Sequence, residues 1–339
     1  MVYDNLRDPE VARRWSEAVR GGPPQLSVRW LTCHEGSFDR PPAYAMVNGP
    51  DGRPDAVAVL HVRRPGDHHT KYRLAAYLPD HPMVAPDAPS VVVVAPSSFV
   101  SGMHVRQGVP ADRARTAVDS LRRAVTSVAR AEGARTILLP HLAATTITAS
   151  GFEDAIHFPM GPSAYLDLRG ARSFDDYLAR LPGRRRREVT RERRAFAAAG
   201  LRIRTTSALG AVERLVDRQL THYLRYGLAA DRTRIAGQFE SLAEHYRDDL
   251  LLLGVVRDDE ELGHVVAVRE HDWVIPKLAA FHGRETFGYF EAGYYAVIDW
   301  ALGDLGCTLI EYGGAAIDAK VRRGCTARQL SGAVLPMDP

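Results

Sequence analysis

Apolar residues in the first half of the chain recur in two different periods. Alternating or β-rich runs at residues 26–33, 56–63, 72–78 and 90–95, parted by Gly, Pro and Asp clusters, predict a meander of strands. A segment at 8–20, opened by Asp8-Pro9 and stopped by Gly21-Gly22-Pro23-Pro24, predicts an amphipathic helix. At 110–132, Ala114, Ala117, Val118, Leu121, Val125 and Val128 follow the three- and four-residue spacing of a longer helix. Gly133 ends it, and 135–139 follows as a short buried strand.

The second half repeats this order. Strand-like runs at 250–256, 262–269 and 273–281 lead into a helical stretch at 290–305 and then a strand at 308–312. The helix exits correspond, with Gly133-Ala134-Arg135-Thr136-Ile137 beside Gly306-Cys307-Thr308-Leu309-Ile310. Between the halves lie a strand at 165–168, a helix at 173–199 interrupted by Pro182-Gly183, and helices at 211–225 and 232–246. The pattern predicts an α+β chain made by internal duplication: a first unit at 1–170 and a second at 171–339, each a mixed, mostly antiparallel sheet flanked by helices.

Length and composition agree with this reading. The 339 residues, 45% hydrophobic and 25% charged, suffice for two cores. No apolar run approaches the roughly 20 residues of a membrane helix. The first residues lack an export pattern, and three cysteines (Cys33, Cys307, Cys325) make no disulfide framework, so a cytoplasmic location is expected. The formal charge is only +3, but lysine occurs three times, at Lys71, Lys277 and Lys320, against 41 arginines. With arginine the default cation, a retained lysine marks a place where a compact ammonium with an adjustable pKa is of use.

Three segments carry candidate chemistry. Residues 183–194 hold seven arginines and two glutamates. On a helix Arg184, Arg187, Arg191 and Arg194 form one stripe, suited to successive phosphates; the alternative is a solvated face laced by Glu188 and Glu192 pairs. The second segment, Tyr289-Phe290-Glu291-Ala292-Gly293-Tyr294-Tyr295, is rich in polar-tipped aromatics. Glu291 and Tyr295 fall four apart there, with Tyr294 adjacent, so a carboxylate and a phenol are expected to meet at the helix start for proton handling, unless the tyrosines serve only as core. His282, at the end of the preceding strand, is a further candidate substrate contact. The third segment runs from Ile310 through Gly313-Gly314 to Lys320, Arg322 and Arg323. Paired glycines admit a ligand close to the backbone, and the cations beside them suit a developing oxyanion. No histidine or cysteine pair has zinc-ligand spacing, and Ser97-Ser98 lacks the elbow motif of a hydrolase, so neither a metal nor a serine triad is expected.

The basic segment Leu178-Ala179-Arg180-Leu181-Pro182-Gly183-Arg184-Arg185-Arg186-Arg187, together with Phe290-Glu291-Ala292-Gly293-Tyr294-Tyr295 and the Gly-Gly to Lys320 segment, resembles the Fem-like branch of the GNAT superfamily over residues 173–336. The resemblance implies a tandem GNAT fold and an enzyme that takes an amino acid from aminoacyl-tRNA and places it on an amine, in cell-wall or antibiotic assembly. It implies no metal and no cofactor beyond the charged tRNA. Lys320 occupies the place of a lysine that assists acyl transfer, and Arg184, Arg187 and Arg191 the place of a nucleic-acid contact. The inserted coiled-coil helices of some cell-wall members have no counterpart, because 211–246 is short and Gly-interrupted, which favours a small soluble or peptide acceptor.

Ordinary GNAT enzymes hold the pyrophosphate of acetyl-CoA in a glycine-rich loop that opens a helix. Here Val105-Arg106-Gln107-Gly108-Val109-Pro110 offers one glycine and then a proline, and Arg284-Glu285-Thr286-Phe287-Gly288 offers a single glycine. Neither completes the loop. Transfer from aminoacyl-tRNA therefore ranks above an acyl-CoA-dependent N-acyltransferase, and both above an inactive tandem module that only binds.

Overall fold

The computed structural model describes residues 1–67, 72–79, 88–143, 151–152, 154–207, 209–210, 212–228, 230–258, 260–281, 283, 287–303 and 305–337. The chain forms two compact units, one of Met1–Pro162 with Arg328–Pro339 and one of Ser163–Ala327. The sequence reading divides the chain between 170 and 171; in the structure the terminal segment from Arg328 counts with the first unit.

The first unit contains β1 (Val2–Tyr3), α1 (Pro9–Val19), α2 (Val28–Cys33), β2 (Ala43–Asn48), β3 (Pro54–Arg63), β4 (Ser90–Val93), β5 (Met103–Val105), α3 (Ala111–Ala131) and β6 (Thr136–Ala143). β7 (Ile156–Asp167) starts in the first unit and ends in the second. The second unit continues with α4 (Phe174–Arg180), α5 (Gly183–Ala198), β8 (Arg202–Thr206), α6 (Val212–Arg225), α7 (Arg232–Tyr246), β9 (Leu250–Arg257), β10 (Glu260–Glu270) and β11 (Trp273–Phe281). A helix α8 then runs through Gly288–Phe290, a π-wound turn Glu291–Tyr295 and Ala296–Leu302. β12 (Leu309–Gly313), the short α9 (Ile317–Arg322) and β13 (Thr326–Pro336) complete the chain.

The strands of each unit repeat one plan. In the first unit the strand order is β1-β2-β3-β4-β6-β13, and in the second β8-β9-β10-β11-β12-β7. Each contains one parallel pair, β4 with β6 and β11 with β12, reached through a helix, α3 or α8. Each then ends on an antiparallel strand, β13 on β6 and β7 on β12. The closing strand of each sheet thus comes from the far half of the sequence, which is why the periodicity at 250–312 repeats that at 56–139 while the chain ends do not.

Two predicted strands form other structure. Residues 26–33 were expected to be extended, but Ser27 accepts the Trp30 N–H at 3.0 Å as an N-cap and opens α2. Trp30 and Leu31 are buried by a helical turn, not by alternation. In 72–78, Leu74–Ala76 forms a 3-10 turn and Tyr72 packs its ring 5.9 Å from Phe38. The strands β2, β8 and β13 were not anticipated.

The core of the second unit positions its chemistry. Val189 and Phe196 of α5, Ala292, Tyr295 and Ile298 of α8, and Ile310 of β12 share one buried cluster with β9 and β10. Leu181, just before Pro182, adopts the extended conformation a following proline demands, and this separates α4 from α5. Gly324, after α9, has φ 86° and would put a Cβ 2.8 Å from Leu181 Cδ2. Replacing Gly324 with Ala therefore combines positive-φ strain with crowding; a loss of about 1–2 kcal/mol should be read as a lower unfolding midpoint. Among the described residues no helix is long and apolar enough to cross a membrane.

Candidate functional site

The arginine segment folds as α5, whose first turn hangs on the Pro182 carbonyl through the N–H groups of Arg185 (2.8 Å) and Arg186 (3.0 Å). No acid occupies that turn, so Arg184 to Arg187 add charge to the positive end of the helix dipole. An approaching anion relieves that repulsion. The arginines then divide by duty. Arg186 donates to the carbonyls of Leu178 (3.1 Å) and Ala179 (3.2 Å) and closes α4. Arg185 pairs with Glu188 at 3.1 Å. Arg193 lies 4.4 Å over the Phe174 ring and donates to Glu291 (3.1 Å) and Asp299 (3.2 Å). Arg184, Arg187 and Arg191 are exposed and, among the described residues, have no ion-pair partner. The lacing alternative is realised only by Arg185, because Glu192 turns inward.

Along the same helix Glu188 and Glu192 line a cleft of about 480 Å³, with Phe290 of α8 and Ala319, Arg322 and Arg323 of the α9 segment. Arg184 and Arg191, four residues before and three after Glu188, lie on the same side of the helix as that cleft-lining residue. Glu192 and Arg323 of the cleft lining belong to a buried constellation. Glu192 Oε2 accepts from Tyr295 Oη–H and from Arg323 Nη2 (2.7 Å), while Arg323 Nε donates to Tyr295 Oη at 3.0 Å. The Arg323 guanidinium rests 3.5 Å over the Phe290 ring, its Nη1 donates to Ala319 O at 2.9 Å, and Tyr177 Oη–H donates to its carbonyl at 2.9 Å. Burial raises the Tyr295 pKa, and its bond to Glu192 raises it further, so the phenol stays protonated. Glu192 and Arg323 side chains are each 5% exposed. Arg323→Met would leave Glu192 charged and unpaired, a loss of about 3–5 kcal/mol to be measured by denaturant unfolding.

Lys320 reaches inward from α9 and is 4% exposed. Its Nζ donates to Tyr312 O at 2.5 Å and Gly313 O at 2.9 Å, holding the end of β12 where Gly313 turns at φ 69°. Burial lowers the Lys320 pKa to about 8, against the opposing pull of Cys325 and Glu311. Gly314 follows, partly exposed, in the bend before α9. Tyr294 is buried and stacks on Tyr312 with ring centres 4.7 Å apart; its hydroxyl pKa is raised by burial. Cys325 is no nucleophile, because burial pushes its thiol up to about 12.

Of the residues singled out in the sequence, Arg322 and Arg323 line the cleft, Tyr295 bonds to Arg323, and Lys320, Gly313 and Tyr294 are buried in the same unit. The expected meeting of Glu291 with Tyr295 does not occur. Both face α5 from the π-wound turn, but Arg193 takes Glu291 and Glu192 takes Tyr295. Burial raises the Glu291 pKa, with Arg193 opposing. His282 lies outside the described residues. Glu192 was read as a surface partner of the arginines. Its signal was legible: it stands three residues after Val189 and four before Phe196, an acid on the apolar side of a basic helix.

A family model described as FemAB-like, peptidoglycan biosynthesis/recognition, matches residues 87–339. Among solved structures the chain is similar to FemX, with TM-score 0.65, 11% identity, and 98% of this chain and 96% of that one covered. It is also similar to a tandem GNAT protein from the clavulanic acid biosynthesis pathway, with TM-score 0.58, 14% identity and coverage of 100% and 99%. L-PGS from Bacillus licheniformis gives TM-score 0.57, 12% identity and coverage of 98% and 92%. At these identities the likeness carries the fold. No curated protein matches the chain.

Proposed function

Because the chain belongs to the FemAB-like family, whose members are transferases on a tandem GNAT fold, we propose that it moves an amino acid from aminoacyl-tRNA to an amine acceptor, a small molecule or peptide of a cell-wall or antibiotic pathway. The observation that carries this reading is the set of exposed arginines Arg184, Arg187 and Arg191, without ion-pair partners among the described residues, on the helix whose Glu188 and Glu192 line the cleft. Three exposed guanidiniums at three- and four-residue spacing suit successive phosphates, and among the described residues none is spent on an ion pair.

In this reading the acceptor nitrogen attacks the ester carbonyl, the new C–N bond forms, and the bond to the ribose oxygen breaks. The acceptor ammonium first gives one proton to solvent; of the two protons left on the neutral amine, one goes to the ribose oxygen and the other stays on the amide nitrogen. Lys320, with two N–H bonds given to carbonyls and a third left, stabilises the oxyanion of the tetrahedral intermediate. The Tyr295 hydroxyl on Glu192 and the Glu291 carboxyl on Arg193 are the groups that handle the protons.

The test is incubation of the protein with a mixture of charged tRNAs and candidate amines, with mass spectrometry of the products. New amide that disappears on ribonuclease treatment is the expected result. Ribonuclease-insensitive turnover, or turnover with acetyl-CoA alone, would overturn the tRNA reading in favour of an acyl-CoA-dependent enzyme.

A further inference from the structure

The cleft beside α5 carries charge of both signs, and the two signs are differently committed. Of the carboxylates, Glu192 has one oxygen, Oε2, saturated by Tyr295 and Arg323, while Oε1 receives no donor among the described residues. A carboxylate so fixed cannot swing away, and its remaining oxygen is presented by a residue that lines the cleft. Glu188, one turn earlier, is already paired with Arg185 at 3.1 Å, and Asp318, an exposed carboxylate of α9, lines the same cleft. Of the cations, Arg323 is consumed, with Nε on Tyr295, Nη1 on Ala319 O and Nη2 on Glu192. Arg322, on the same wall, is exposed and has no ion-pair or hydrogen-bond partner among the described residues.

From this arrangement we infer that the cleft is the acceptor subsite and that it selects an amine bearing its own carboxylate, an amino acid or short peptide, with the ammonium on the remaining oxygen of Glu192 and the carboxylate on Arg322. This rests on the transferase reading above only for the word acceptor; the recognition follows from the charges. A volume of about 480 Å³ accommodates a ligand of this size. The Phe290 ring, held flat under Arg323, gives the intervening methylene chain an apolar wall. A fixed buried carboxylate that hydrogen-bonds an ammonium also discriminates strongly against an uncharged analogue, since the lost partner leaves the site unpaired.

The test uses the full chain without tRNA and three probes of equal length in calorimetry: 5-aminopentanoate, n-pentylamine and pentanoate. The first should bind at least tenfold more tightly than either of the others. Glu192→Gln, which keeps an acceptor oxygen for Tyr295 and Arg323, should weaken both amines at least tenfold. Arg322→Ala, at an exposed position, should weaken 5-aminopentanoate to the level of n-pentylamine and leave n-pentylamine unchanged. Equal binding of all three probes, no saturable binding to the native chain, or an Arg322→Ala variant as tight as the native one would each overturn the assignment. Because no tRNA is present, these results stand or fall separately from the ribonuclease experiment. Amide formation that needs tRNA but accepts n-pentylamine as readily as 5-aminopentanoate would sink the acceptor assignment alone.

Discussion

Replacing Lys320 with Met should lower kcat by about 10²–10³ while leaving the affinity for charged tRNA within a factor of a few. The ammonium is buried against two carbonyl oxygens, so its position is set before substrate arrives and no reorganisation is needed as charge develops. The residue acts as a cation, which fixes the sign of the pH dependence. Burial has brought its pKa down to about 8. Below that value the ammonium is present; as pH rises through it the proton is lost, and kcat/KM should fall with it. Lys320→Arg keeps the charge and removes the titration, so its residual activity should lose that limb of the profile. Measured rates that climb through pH 8, or a Lys320→Met enzyme with near-native kcat, would show that this lysine only props the end of β12.

The second large effect is expected for the stripe on α5. Arg184, Arg187 and Arg191 changed together to Ala should weaken charged-tRNA binding ten- to a hundredfold. They should also reduce the slope of log K against log salt by about 2–3, the loss of three phosphate contacts. Their side chains are exposed and unpaired, so the unfolding midpoint should stay where it is. The contrast with Arg186 and Arg193 is part of the prediction. Arg186 serves the α4 carbonyls and Arg193 serves Glu291 and Asp299, so removing either should cost stability and alter the salt slope little. Filter binding of one charged tRNA across a salt series separates the two classes. An unchanged slope in the triple variant would remove the polyanion from the proposal.

Both effects also bear on the acceptor cleft. Neither Lys320 nor the arginine stripe lines it, so neither variant should change calorimetric binding of 5-aminopentanoate by more than a few fold. A common loss of all three activities would point to collapse of the α5–α9 packing, which the Arg323→Met unfolding experiment measures independently.

The secondary structure that local chemistry controls was legible in the chain. The helix at 110–132 was written in a three- and four-residue apolar spacing, the break before Gly183 in Leu181-Pro182, and the duplication in the repeated strand, helix, glycine, strand order. Charge clustering marked α5, and the scarcity of lysine drew attention to Lys320. What the sequence could not decide was which charge is spent on which partner. Seven arginines in one segment look alike in a string; only packing gives Arg186 to carbonyls, Arg193 to Glu291, and leaves Arg184, Arg187 and Arg191 to the solvent. Likewise Glu192 meets Arg323 across more than a hundred residues of chain, and β13 returns to β6 to close a sheet begun by the other terminus. Such pairings depend on distances between remote segments. Local periodicity carries no term for them, and three-dimensional packing sets them all at once.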